Sequence, residues 1–146
     1  MDHFLKEGES LKRLIREYDK YGNLVIGTDF DSTLHDYHRE GHTFDDMTQL
    51  VRDLRSINCK IIIWTAHCDH EYVAKYLQDR GIPYDGINTD GVKLSWETRK
   101  PFFNALLDDR AGMIQVYNDL CAVVKHARNK QAVTNLIKDA HEDLLP

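Results

Sequence analysis

The stretch from Asn23 to Tyr37 reads NLVIGTDFDSTLHDY, an apolar run followed by closely spaced aspartates. Its apolar first part, Leu24 to Asp29, predicts a short strand that is buried on both of its faces. The strand ends at two aspartates separated by Phe30, and a serine and a threonine follow them. Because two carboxylates held this close repel each other, we expect a positively charged group to compensate them.

Three other apolar runs predict strands, and amphipathic segments between them predict helices. The predicted strands after the first are Lys60 to Thr65, Gly86 to Asn88 and Ala105 to Leu107. The predicted helices are Glu9 to Tyr21, Phe44 to Ile57, Asp69 to Arg80 and a helical tail over residues 113–145. We also expect Thr43 and Asp46 to cap the second helix. This alternation of strand and helix predicts a parallel sheet with both faces covered.

The length of 146 residues fits a single domain, which we expect to span residues 1–146 with a motif-bearing core over 22–112. The gaps between the predicted strands leave no room for an inserted cap domain. The terminal helices, at 9–21 and 113–145, could cover the edge of the sheet or form the contact of a homo-oligomer. The sequence does not choose between these two roles.

Composition and charge indicate the cellular compartment and the classes of partner. The sequence has no secretory pattern at its N-terminus and no apolar run long enough to cross a membrane, which predicts a cytoplasmic protein without a membrane partner. Three scattered cysteines favour reduced thiols over a disulfide framework. The formal net charge of −5 argues against broad nucleic-acid binding, although a phosphorylated nucleic-acid end stays open as a substrate.

Polar side chains follow the predicted strands, at the sheet edge where ligands bind in such folds. They are Asp29, Asp31, Thr65, Asp108 and Asp109, with Lys100 just upstream of the last pair. Carboxylates without a nearby cysteine suit a hard cation, Mg2+ above all. Mg2+ commonly binds a substrate phosphate together with such carboxylates. One aspartate of the first pair can attack phosphorus, and the other can protonate the leaving oxygen. The residues alone therefore predict a metal-assisted phosphate site.

These motifs resemble those of the haloacid dehalogenase (HAD) superfamily. DFDST at 29–33 resembles motif I, IIIWT ending at Thr65 resembles motif II, and KPFFNALLDDRAG at 100–112 resembles motifs III and IV. The segments IIIWT, GIPYD and LLDDR are similar to those of small, capless HAD-like proteins of bacteria and phages. Ser32 stands where the family more often has glycine, and Ala66-His67 stands where the closest type often has Cys-Arg. The resemblance implies a Rossmann-like fold of three layers, with helices on both faces of the sheet and no large cap.

The resemblance also implies a role for each matching residue. Asp29 would be the nucleophile and a magnesium ligand, and Asp31 the general acid/base with its backbone carbonyl on the metal. Thr65 would bind the phosphoryl oxygens, and Lys100 would hold nucleophile and phosphate together. Asp109 would be a direct ligand of Mg2+, and Asp108 would act through water or Lys100. Residues expected to touch the substrate are Ser32, Thr33, Tyr37, His38, Ala66 and His67.

The implied activity is Mg2+-dependent hydrolysis of a small phosphorylated substrate, such as a nucleotide, through an aspartyl-phosphate. A catalytically inactive binding or regulatory protein with the same fold is the alternative. A receiver-like switch is disfavoured, because its lysine comes last, after the hydroxyl, whereas Lys100 precedes a second acidic pair. Lys93 competes with Lys100 for the lysine role but has the poorer spacing to Asp108.

Histidines cluster in two predicted loops and suggest a second hypothesis, a zinc site. The candidate ligands are His35, His38, His42, His67, Cys68 and His70. Their spacing fits no standard zinc pattern, so we interpret them as solvated loop residues, some of which touch the substrate with Tyr37 and Arg39. The pair Tyr72 and Tyr76 is interpreted as packing.

Overall fold

A computed structural model describes residues 1–144 of the chain. Its strands are β1 (Val25–Thr28), β2 (Lys60–Ile63), β3 (Gly86–Ile87) and β4 (Ala105–Leu107). Its helices are α1 (Glu9–Tyr21), α2 (Asp45–Ser56), α3 (His70–Asp79) and α4 (Met113–Glu142), and a short 3-10 helix precedes them at His3–Leu5. Each predicted strand and helix therefore forms, with ends that differ by a few residues.

The four strands form one parallel sheet in the order β3-β2-β1-β4. The central strand β1 pairs with a neighbour on each side, so that Ile26 lies opposite both Ile61 and Ala105. At the next position on the same face, Thr28 lies opposite Ile63 and Leu107. This register brings the carboxyl ends of β1, β2 and β4 together at one edge of the sheet. The predicted Rossmann-like α/β fold is confirmed.

One face of the sheet carries the main hydrophobic core. Ile26, Ile61 and Ile63 are fully buried there, together with apolar side chains from all four α-helices. The helical contributors include Leu14, Met47, Leu50, Val51, Leu54, Val73, Leu77, Leu120, Val123 and Val124. Burial of this many aliphatic side chains provides the main driving force for folding.

The other face of the sheet is covered by the irregular segment 88–104, so the third layer on this face is not helical. Gly91 packs so closely against the sheet that a Cβ atom there would collide with the side chain of Val25 and crowd that of Ile62. A Cβ on Gly27 would lie 2.6 Å from the ring of Phe103. Glycine is needed at both positions because backbone and side chain approach each other closely. Both faces are thus covered, as predicted, and no cap domain interrupts residues 1–144.

The predicted cap of α2 is wrong. Its N-cap residue is Phe44, and no side chain accepts a hydrogen bond there. In α3 the expected boundary holds, because the Asp69 side chain accepts a hydrogen bond from the Tyr72 N–H at 3.0 Å. Such a bond satisfies one of the free N–H groups of a first helical turn.

The tail forms the single helix α4 over its described length. Its first half is buried at positions such as Leu120 and Val124, whereas Val133, Leu136 and Ile137 in its second half are exposed. The predicted helical end at residue 145 lies outside the described residues. Within residues 1–144, no helix is both long enough and apolar enough to cross a bilayer.

Candidate functional site

A cavity of about 620 Å3 opens at the carboxyl ends of β1, β2 and β4. Residues from all three strand ends line it: Asp29, Asp31, Ser32, Tyr37, His38, Trp64, Thr65, Ala66, Asp108, Asp109 and Arg110. Nine of the predicted catalytic, metal-ligating and substrate-contacting residues line this cavity, although they are far apart in the sequence. The register of the parallel strands is the physical cause of this convergence.

Three carboxylates form a tight cluster in the cavity. Asp29, Asp108 and Asp109 each place an oxygen within 4.8 Å of the other two. Burial raises the pKa of Asp29 to about 6, and the negative charge of Asp108 adds to this effect. A hydrogen bond from Thr33 acts in the opposite direction. Three oxygen donors without nitrogen or sulfur make a group that suits a hard cation.

One backbone and one side-chain hydrogen bond hold Asp29 in place. Its N–H donates to the carbonyl of Leu107 at 2.8 Å, which continues the β1–β4 pairing beyond the strand. The Thr33 hydroxyl donates to Asp29 Oδ2 at 3.2 Å. We predicted that Thr33 touches the substrate, but Thr33 is fully buried and does not line the cavity, and its hydroxyl orients Asp29 instead.

A tight turn follows Asp29. The carbonyl of Phe30 accepts the N–H groups of Thr33, Leu34 and His35, and the Ser32 N–H donates to the carbonyl of His35 at 2.8 Å. Ser32 has φ of 60°, in the left-handed region that glycine adopts without steric cost. This conformation gives a physical reason why glycine is favourable at the position, and why a serine there is mildly strained.

The turn places an imidazole beside the second aspartate. His35 Nδ1 lies 2.9 Å from Asp31 Oδ1, and His35 Nε2 lies 3.0 Å from the Tyr72 hydroxyl. Only 15% of the His35 side chain is exposed. Our interpretation of His35 as a solvated loop residue is therefore wrong. The sequence offers one signal for this contact: His35 follows Asp31 by four residues, in a region rich in aromatic residues.

The end of β2 is held by an asparagine that sequence reasoning missed. The Asn88 side chain accepts from the Thr65 N–H at 2.8 Å and donates to the Thr65 carbonyl at 2.7 Å. The Thr65 hydroxyl accepts from the His67 N–H at 3.0 Å. The His67 ring stacks on Tyr72 and does not line the cavity, unlike its neighbour Ala66. Asn88 follows β3, so only the pairing of β3 with β2 brings it here.

Lys100 does not line the cavity. It is exposed within the segment 88–104, where its N–H donates to the Thr98 hydroxyl at 3.1 Å. Lys93 lines a different cavity, with Trp96. The segment between β3 and β4 has no regular structure that would direct a lysine toward the carboxylates. Arg110 lines the cavity instead, directly after the acidic pair, and we did not predict it.

The histidine-rich loops do not form a zinc site within residues 1–144. The one group of three or more possible metal ligands found in this range is the aspartate cluster. Exposed His42 contacts Glu40, and His35 is engaged with Asp31 and Tyr72.

Comparison with known proteins leaves the family open. No protein-family model matches the sequence, and no curated protein matches it. A solved structure of a conserved protein from Bacteroides thetaiotaomicron is similar in fold, with a TM-score of 0.55 and 20% sequence identity. The likeness covers 74% of this chain and 92% of that chain. At this identity it establishes the α/β fold alone.

Proposed function

We propose that the protein is a Mg2+-dependent phosphohydrolase that cleaves phosphomonoesters through an aspartyl-phosphate on Asp29. The observation that carries this proposal is the convergence of the Asp29, Asp108 and Asp109 carboxylates in one open cavity. Asp31 and Thr65 line the same cavity and would supply the proton transfer and a hydrogen bond to the phosphoryl group. The HAD-like motifs in the sequence agree with these roles.

The carboxylate cluster fits a divalent cation with oxygen ligands. The raised pKa of Asp29 reflects the cost of keeping its charge in this surrounding without a cation. Asp108 Oδ1 already accepts the Arg110 N–H at 2.8 Å, whereas Asp109 is exposed and makes no such bond. This difference favours Asp109 as the direct ligand and Asp108 as an outer one. When bound, Mg2+ would offset the negative charge that builds on the phosphoryl group.

The chemistry follows from the roles of two aspartates. A carboxylate oxygen of Asp29 would attack phosphorus and form the aspartyl-phosphate, while the bond from phosphorus to the leaving oxygen breaks. Asp31 would give its proton to that oxygen. Asp31 would then take a proton from the water that attacks phosphorus, which frees Asp29 and inorganic phosphate. Arg110 would stabilise the phosphoryl charge in place of the expected lysine.

The open cavity agrees with a phosphate that protrudes from its substrate. We propose a small phosphorylated substrate such as a nucleotide, without selecting one. Three free cysteines, one of them exposed, favour a reducing compartment such as the cytoplasm.

The decisive test is Asp29→Asn, assayed on an aryl phosphate with and without Mg2+. We expect the variant to lose at least about a thousandfold in kcat, because the attacking oxygen is replaced by an amide. Asp79→Asn is a matched control, because this exposed carboxylate pairs with Lys75 on α3 and does not line the cavity. Circular dichroism should show both variants folded. Turnover by Asp29→Asn at the wild-type rate would refute the nucleophile assignment.

One observation favours the alternative of a catalytically inactive binding protein. No lysine lies among the described residues that line the cavity, although the sequence carries the expected Lys100. Calorimetry with Mg2+ and inorganic phosphate separates the two functions. Binding of both, without hydrolysis of any phosphomonoester in a broad panel, would support the binding protein.

A further inference from the structure

The His35 ring contacts Asp31, the proposed general acid, through one nitrogen and the Tyr72 hydroxyl through the other. In the tautomer whose Nδ1 carries the ring proton, His35 donates to Asp31 Oδ1 at 2.9 Å and its Nε2 accepts from the Tyr72 hydroxyl at 3.0 Å. Asp31 lines the cavity, and its second oxygen takes no part in this contact. One oxygen of the carboxyl group is thus held by His35, and the other remains available to the substrate.

Packing holds the imidazole in this place. The His35 ring stacks on the fully buried Phe30 with a centroid distance of 4.8 Å and an angle of 7° between the planes. The ring of Tyr76 meets it edge-on at 4.9 Å. The backbone of His35 is fixed as well, since its carbonyl accepts the Ser32 N–H. A donor with so little freedom restricts the rotation of the Asp31 side chain.

We propose that His35 is a positioning residue that holds the Asp31 carboxyl group in the orientation needed to protonate the leaving oxygen. This inference rests on the proposed function. In the step concerned, Asp29 bonds to phosphorus, the phosphorus–oxygen bond of the ester breaks, and its electron pair stays on the leaving oxygen. That oxygen takes the proton of Asp31, so alcohol and aspartyl-phosphate are formed. Orientation of a proton donor matters because a small misplacement lowers the rate steeply.

The test compares two substrates whose leaving groups differ in how much they need a proton. An alkyl phosphate such as propyl phosphate needs protonation as its alkoxide departs, whereas 2,4-dinitrophenyl phosphate releases a stable phenolate without it. The ratio kcat/KM reports events up to the first bond cleavage, so it is compared for both substrates with Mg2+ present. General acid catalysis contributes about a hundredfold to ten-thousandfold, so loss of its positioning should cost a measurable part of that.

Two substitutions of His35 separate positioning from packing. His35→Phe keeps an aromatic ring on Phe30 and removes the donor to Asp31, whereas His35→Asn keeps a donor near the place of Nδ1. We expect His35→Phe to lose about tenfold to hundredfold in kcat/KM on the alkyl phosphate, mainly in kcat, and almost nothing on the dinitrophenyl ester. His35→Asn should recover most of the loss. His42→Phe is the matched control and should change the turnover of neither substrate, because the exposed His42 side chain meets Glu40 and does not line the cavity.

Each other outcome has a defined meaning. Equal losses on both substrates, or no loss on either, would overturn the positioning role while leaving the proposed hydrolysis intact. A wild-type protein that hydrolyses neither substrate would overturn the proposed function and this inference with it. If His35→Phe does not fold, Tyr72→Phe removes the donor to Nε2 from a partly exposed ring. The same selective loss on the alkyl phosphate is then expected, and an equal loss on both substrates again overturns the role.

Discussion

Two segments supply three of the four predicted catalytic residues, Asp29, Asp31 and Lys100, and they differ in how firmly the fold holds them. Segment 29–35 follows the central strand, contains the fully buried Phe30, and is closed by hydrogen bonds of its own backbone. Segment 88–104 crosses the opposite face of the sheet and is anchored near its ends, where Asn88 holds Thr65 and Asn104 bonds to Val25. Between those anchors it is mostly exposed and has no regular structure.

A motif residue therefore reaches a site only when its local contacts direct it there. Asp29 and Asp31 lie next to a buried ring and a hydrogen-bonded turn, and both line the cavity. Lys100 lies in the loosely held part of the second segment, and it does not. The predictions below probe this contrast between the two segments.

The largest effect is expected from removing the buried ring of the first segment. Phe30→Ala should lower the free energy of unfolding by about 3–5 kcal/mol, since Phe30 is fully buried and packs against His35 and Tyr76. Trp96→Ala, in the exposed part of the second segment, should change it by less than about 0.5 kcal/mol. Urea denaturation followed by circular dichroism measures both. Similar losses in the two variants would mean that the segments are held equally firmly.

An intermediate effect should distinguish the two cationic side chains. Arg110→Ala should lower kcat/KM on an aryl phosphate by about a hundredfold, because Arg110 lines the cavity and would stabilise the phosphoryl charge. Lys100→Ala should change it by less than about twofold, as expected of an exposed residue outside the cavity. Steady-state kinetics with saturating Mg2+ gives both values. The reverse order would show that segment 88–104 moves and brings Lys100 to the substrate.

The smallest effect concerns pH and the metal. Because the pKa of Asp29 is raised to about 6, the folded protein binds this proton more tightly than the unfolded chain does. The contribution of Asp29 to stability is therefore fully present below about pH 4 and is lost as the pH rises through 6. Without Mg2+, Asp29→Asn should match the wild type at pH 4 and exceed its melting temperature at pH 7.5.

Added Mg2+ should remove that difference at pH 7.5, because a ligand that binds only the folded state stabilises it. The wild-type melting temperature should rise with Mg2+ concentration, and that of Asp29→Asn should rise less. Differential scanning calorimetry at the two pH values gives the comparison. A wild type that gains no stability from Mg2+ at neutral pH would contradict the metal site.

Much of the fold was predictable because its signals are local. The continuous apolar runs around Ile26 and Ile62 predict buried strands, and the spacing of Leu50, Val51 and Leu54 predicts a helical face. Asn88, which the sequence did not reveal, depends on a non-local contact. Nothing near Asn88 in the sequence indicates that its amide binds the backbone of Thr65, because that contact exists only once β2 and β3 pair.

The order of strands and helices, and the carboxylates that follow β1 and β4, could be predicted from the sequence, since apolar periodicity and polar strand ends lie within short windows. Which of these groups meet depends on contacts between distant parts of the chain and on the turns that follow the strands. The parallel register brought Asp29 to Asp108 and Asp109, and the turn after Phe30 brought His35 to Asp31. The irregular course of segment 88–104 left Lys100 outside the cavity, because the exposed residues around it have no regular structure that directs them, whereas Arg110, directly after the acidic pair that follows β4, lines the cavity.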